Sequence, residues 1–175
     1  MGRPFAMAKQ KDVCGLTPEA PLEEAAPKMI LAKFRDMCSH YDGTLKGEDI
    51  EALHDMRVAS RRLRACMLDL YRCFPAKTHR KLLRRIKRIA TSLGQVRDLD
   101  VMIDFLVGYQ KKLPGRKQAA VEELIVSLQQ QREDARTALI QMLDKDKFEN
   151  LSASFIKFYA GGEGRHGKTV EDQDG

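Results

Sequence analysis

Tryptophan is absent from the 175 residues, aromatics make up only 6%, and no apolar run approaches the ~20 residues that a membrane-spanning helix needs. A spanning helix is thereby excluded. The four cysteines, at positions 14, 38, 66 and 73, form no close Cys-x-x-Cys pair, so the chain reads as intracellular and reduced, with cytoplasmic placement expected. Behind Arg3 there is no apolar stretch, because Lys9, Gln10, Lys11 and Asp12 follow at once, and no secretory signal is expected. Alternation of apolar and polar residues at strand period is also missing. The nucleophile and zinc motifs GxSxG and HExxH do not occur, nor does a Walker-type phosphate loop. Gly161-Gly162-Glu163-Gly164 lies in a glycine-rich tail without the strand and helix that such a loop requires. Cys38-x-His40 has no second ligand pair at zinc spacing, and His79 and His166 are isolated. No catalytic residue, metal or other cofactor is expected, and the protein reads as a binding module instead of an enzyme.

What is present is a chain of 43% hydrophobic and 32% charged residues, enough for one domain with its own core. Residues 1–17 lack periodicity and read as a flexible N-terminal arm; 18–159 form a helical domain; 160–175, with five glycines, read as a disordered tail. Leu22, Met29, Ile30, Phe34, Met37 and Cys38 recur at helical spacing, with Pro27 expected to shorten or kink that helix. A second helix is expected from Glu48–Asp49 to about Cys73. A third has Pro75 in its first turn and is weakened or broken at Gly94, the pattern resuming to Leu106. After the Pro114-Gly115 turn, helix returns over 116–143 and again over 148–159. The expected fold is all-α, an antiparallel bundle of four to five helices joined by short loops.

Charge is distributed unevenly. Between Arg57 and Arg97 stand thirteen Lys and Arg against one acid, Asp69; this window carries +12 within a total of +6, so the remainder carries −6. Such a concentration makes a local field suited to a polyanion. On the second helix Leu53, Met56, Ala59, Leu63, Met67 and Leu70 share one face as a core stripe. His54, Arg57, Arg61 and Arg64 follow one another at spacings of three and four on a neighbouring face, a ladder about 15 Å long at 1.5 Å per residue. No acid in the ladder offsets the repulsion of its like charges. A second basic row, Arg80, Arg84, Lys87 and Arg88 with Lys77 and Lys81 at its flanks, lies opposite the core stripe of the third helix; from spacing alone it need not face the first. The window offers only Tyr71, Phe74 and Gln95 for stacking or base edges, so its chemistry reads phosphate and little else. Cys66 and Cys73 read as buried thiols beside the core stripe.

The segments Leu53-His54-Asp55-Met56-Arg57-Val58-Ala59-Ser60-Arg61-Arg62-Leu63-Arg64-Ala65 and Leu93-Gly94-Gln95-Val96-Arg97-Asp98-Leu99-Asp100-Val101 resemble, in order and separation, the CHAD family, the conserved histidine α-helical domain. The resemblance bears directly on about 50 residues and extends plausibly over 21–159. It implies an all-helical fold of two similar halves around a basic channel that binds inorganic polyphosphate, and a place at polyphosphate granules in bacteria. Carried onto this chain, it makes His54, Arg57, Arg61, Arg62 and Arg64 phosphate ligands, joined by Arg84, Lys87 and Arg88 of the basic helix that precedes the second motif. Arg97 is assigned either to phosphate or to an internal ion pair with Asp98 and Asp100. His54 is assigned to phosphate or to a packed, capping role.

Two departures matter. Only one His-x-x-Arg segment is present and no second copy follows Pro114, so a homodimer about a two-fold axis is expected to rebuild the channel. The alternating Glu-x-Glu-x-Lys pattern of the triphosphate-tunnel domains that often accompany the family is absent, and no hydrolase activity is implied. The alternative reading is a nucleic-acid-binding or protein-interaction module using the same basic face, or an oligomerisation role for the Leu-rich helix 116–143.

Overall fold

The computed structural model describes residues 16–17, 19–47 and 50–161. Most of the expected arm and nearly all of the expected tail therefore lie outside the described residues. Six α-helices and one 3₁₀ turn follow in order: α1 (Leu22–Cys38), α2 (Tyr41–Lys46), α3 (Ile50–Asp69), the turn Tyr71–Cys73, α4 (Ala76–Gln110), α5 (Gly115–Met142) and α6 (Lys145–Ala160). Among the described residues there is no strand, and the all-α antiparallel bundle is observed: five long helices with one short connector.

The stripe expected for the second helix is the stripe that α3 buries. Leu53, Met56, Ala59, Leu63, Met67 and Leu70 are all buried. Each such aliphatic side chain removed from water contributes about 1.5–3 kcal/mol. They meet Ile86, Leu93 and Val96 of α4, while Phe34 of α1 and Phe155 of α6 stack at 4.0 Å between ring centroids. Long-range contacts fix the helix directions. His79 of α4 reaches Met67 at the end of α3, and Arg57 near the start of α3 reaches Asp98 late in α4, so these two run antiparallel. Asp100 with Arg132 and Gln110 with Gln118 do the same for α4 and α5.

Several boundaries depart from expectation. Gly94 does not break α4, which runs unbroken for 35 residues. A glycine inside a helix costs about 1 kcal/mol against alanine, and the full burial of its neighbours Leu93 and Val96 outweighs that. Pro75 caps α4 from outside its first turn, and its ring holds Phe74 extended at φ −136°, ψ 151°. That restriction also ends the preceding segment, so α3 stops at Asp69 and its continuation tightens into the 3₁₀ turn. Pro27 lies inside α1 without ending it; Ala26, Ile30 and Leu31 on either side are buried. α6 starts three residues before its first core side chain, Phe148, because the Asp144 carboxylate accepts the Lys147 N–H at 3.3 Å.

His79, isolated in the sequence, is a buried link between three elements. Its Nε2 lies 2.9 Å from the Met67 carbonyl oxygen and its Nδ1 2.9 Å from the Tyr159 hydroxyl, with Phe74 stacked on the ring. A neutral imidazole satisfies both contacts, Nε2–H donating to the carbonyl and Nδ1 accepting from the phenol. Burial pushes its pKa below the ordinary 6.5, opposed in part by the Met67 bond. The unfolded chain thus takes up a proton that the folded one refuses. Stability contributed by this group is complete above about pH 6.5 and is lost as pH falls from there through the lowered folded value. Thermal melts between pH 7.5 and 5 should show a falling midpoint, and His79→Gln should flatten that part of the curve; an unchanged slope would assign the acid loss to other groups.

Candidate anion-binding face

The ladder on α3 stands about 120° round the helix from the centre of its buried stripe, on the flank turned toward α4. Arg57 marks the place where the two helices meet. Its Nη2 lies 3.7 Å from the Asp98 carboxylate, and its Nε would sit 3.9 Å from a Cβ at Gly94. Gly94 therefore lies beside the guanidinium, at a distance that a side-chain methyl would also respect. With the helices antiparallel, the α4 positions that continue this flank at alternating spacings of three and four are 91, 87, 84 and 80, passing Arg61 and Arg64 in turn. Lys87 lies on the α3 side of that row, Arg84 farther out, and Arg88 a further 100° round from Lys87. By helical phase, the two basic rows lie on adjoining flanks of α3 and α4.

His54, Arg57, Arg64 and Arg97 are half-buried, whereas Arg61, Arg62, Arg84, Lys87 and Arg88 are exposed. Among the described residues Arg57 is the only one of these nine with a carboxylate at ion-pair distance. That partner is weak, since Asp98 is 71% exposed and such a pair contributes about 0–1 kcal/mol. The Nδ1 atom of His54 is buried and has no hydrogen-bond partner among the described residues.

Arg62 is not brought to the groove. It lies about 140° round α3 from Arg57, beside Asp55 and Asp69, on the flank of Cys66, whose thiol senses the charge of Lys33 on α1. The ion pair envisaged for Arg97 with Asp98 and Asp100 is not formed either. Asp98 turns to Arg57, and the buried Asp100 accepts from Arg132 Nε of α5 at 2.6 Å, a bond that raises the guanidinium pKa. The second motif therefore divides its contacts: Gly94 lies beside Arg57, Asp98 pairs weakly with it, and Asp100 bonds to Arg132 of α5. The i, i+4 relation of Gly94 and Asp98 puts both on one helix face and was available as a signal; the reach of Arg132 from 32 residues away was not.

Cys38, Cys66 and Cys73 are free, half-buried thiols, pushed upward by burial, Cys38 to about 11. Among the described residues no group of three His, Cys, Asp or Glu side chains is placed to hold a metal ion, and no helix is long and apolar enough to cross a membrane.

Gly94→Ala should raise stability by about 0.5–1 kcal/mol through helix propensity, because the added methyl meets Arg57 only at ordinary contact distance. Chemical denaturation checks this; a loss of stability would mean that the guanidinium cannot share the space.

No curated protein and no solved structure matches the chain. The model of the CHAD domain matches residues 28–172, a span that contains both motif segments and takes in the groove and most of α1, and the chain belongs to the CHAD domain family.

Proposed function

We propose that the protein binds inorganic polyphosphate along the α3/α4 groove and does not turn it over. What supports this reading is the placement, by helical phase, of Arg57, Arg61, Arg64 and Lys87 on adjoining flanks of two antiparallel helices, where among the described residues Arg57 has Asp98 as an exposed ion-pair partner and the other three have none. Guanidinium groups offer paired donors to phosphate oxygens, and Arg57 and Arg64 are separated by about 10 Å along the axis, so a flexible phosphate chain can meet them in succession. His54 adds a donor in either ring form, and Arg97, left without a carboxylate, extends the positive row at the same end. Arg84 and Arg88 on the outer face supply a weaker, more exposed field, and Arg62 is not a ligand in this arrangement. The family's association with polyphosphate supports the same ligand.

A nucleic-acid interface is the less favoured reading. Of the two aromatic residues in the basic window, Phe74 is buried against His79 and Tyr71 lies beyond the far end of α3, its hydroxyl accepting from Arg72. Neither offers the groove a stacking platform for bases.

The groove is open on its outer side, and the homodimer belongs to this proposal. Along α4 the face that carries Lys87, Gly94 and Asp98 continues into Val101, Phe105 and Tyr109, all exposed apolar side chains, with Phe105 stacked on Tyr109. A second copy covering this segment would wall the groove. A cytoplasmic place at polyphosphate granules accompanies the reading.

Titrations with long-chain polyphosphate and with duplex DNA at several salt concentrations distinguish the ligands, since both affinities fall with salt but binding in a fitted groove persists near physiological strength. Equal competition by DNA overturns the proposal. Arg57→Ala with Arg61→Ala removes two charge-assisted contacts worth about 3 kcal/mol together, or about 100-fold in affinity. Lys9→Ala with Lys11→Ala should change it little; equal losses would indicate diffuse attraction. Sedimentation should show a dimer that Phe105→Glu converts to monomer, and a strict monomer with undiminished affinity removes the second copy.

A further inference from the structure

The flank of α4 turned away from α3 carries a second basic concavity, a cavity of about 240 Å³ between α4 and α6. Thr78, Lys81 and Arg85 line it from α4, and Asn150, Ser154 and Lys157 from α6. We propose that this cavity is a separate oxyanion site, for a short inorganic phosphate such as pyrophosphate.

Three observations carry the assignment. First, Lys81 and Arg85 of α4 line the cavity together with Lys157 of α6, and among the described residues no carboxylate lines it. Secondly, Arg85 is held in place by neutral acceptors alone: Nη2 donates to the Lys147 carbonyl at 3.1 Å and Nη1 to Asn150 Oδ1 at 3.4 Å. The guanidinium is therefore positioned with no carboxylate partner among the described residues, and partial burial lowers its pKa. With Asn150 Oδ1 so engaged, the amide of that residue is left to act as a donor, beside the Thr78 hydroxyl.

Thirdly, the base of the cavity is apolar. Leu82 and Phe158 line it and are both buried in the core, while Lys81 and Lys157 at its rim are exposed. This base also sets the ligand's length. Liquid water occupies about 30 Å³ per molecule, so the cavity admits a few phosphate units, but it has a floor and no long chain can thread through it. Lys81 and Arg85 lie about 140–180° round α4 from Gly94, which keeps the site apart from the groove; Arg84 and Arg88 stand exposed between the two.

Titration of the full chain with pyrophosphate, followed by amide NMR, tests the site. Saturable shifts are expected at Lys81, Asn150 and Ser154. Arg85→Gln with Lys157→Gln should weaken them at least 10-fold, whereas Arg57→Ala with Arg61→Ala should leave them unchanged. Lys81→Gln, at an exposed position, serves as a second variant should the double substitution disturb folding, and should weaken binding several-fold. Absence of shifts at millimolar pyrophosphate, or equal losses in the groove and cavity variants, overturns the proposal. Because the groove variants report on long-chain binding, failure of one site is distinguishable from failure of the other.

Discussion

Two amphipathic helices that bury their apolar stripes in a shared core must also set their adjoining flanks side by side. In this protein that geometric constraint decides everything about the charged face. Met56, Leu63 and Met67 of α3 and Ile86 and Leu93 of α4 are fully buried. Once they are, the residues one step round each helix fall on adjoining flanks, half-buried or open to solvent. Those residues are Arg57, Arg61 and Arg64 on one side and Gly94, Thr91 and Lys87 on the other. The hydrophobic effect thus assembles a row of like charges that electrostatics alone would disperse.

Such an arrangement has a cost that the packing must carry. Like charges at helical spacings of three and four repel by a few tenths of a kcal/mol per pair, a small amount beside the burial of a single leucine. The chain offers acids that could have relieved it, yet they are placed elsewhere. Asp55 and Asp69 occupy the opposite flank of α3 with Arg62, and Asp100 is buried toward α5 against Arg132. Asp98 alone attends the ladder, and from an exposed position where its pull is screened. The flank is left with a surplus of positive charge among the described residues, which is the basis of the proposed anion binding.

The core stripes, the helix count and the ladder on α3 were legible because each depends on periodicity within one helix. Juxtapositions between helices were not. How α3 and α4 meet shows in Arg57 lying beside Gly94 and Asp98, residues 37 and 41 positions away. Gly94 was expected from local propensity to weaken or break the helix, whereas the burial of Leu93 and Val96 carries α4 through it. Arg62 was assigned to phosphate by its place in a motif, although the 3.6-residue period already set it on a different flank from the ladder. His79 was unreadable as a connector, since both of its partners, Met67 and Tyr159, lie on other elements.

The long unbroken α4 gives these separate facts a common origin. A break at Gly94 would have allowed its two halves to rotate independently. Continuity instead locks the phase of every side chain from Ala76 to Gln110. The apolar stripe of that rod then divides its remaining surface into a flank against α3, an outer face, and a flank against α6. Lys87, Arg84 and Arg85 fall on these in turn, which is how one basic segment of sequence comes to serve an open groove on one side and a floored cavity on the other. The difference between the two lies in what the neighbouring helix contributes. α3 adds further arginines in a line, so its groove suits an extended ligand. α6 adds Lys157, an amide and the buried ring of Phe158, so its cavity suits a compact one.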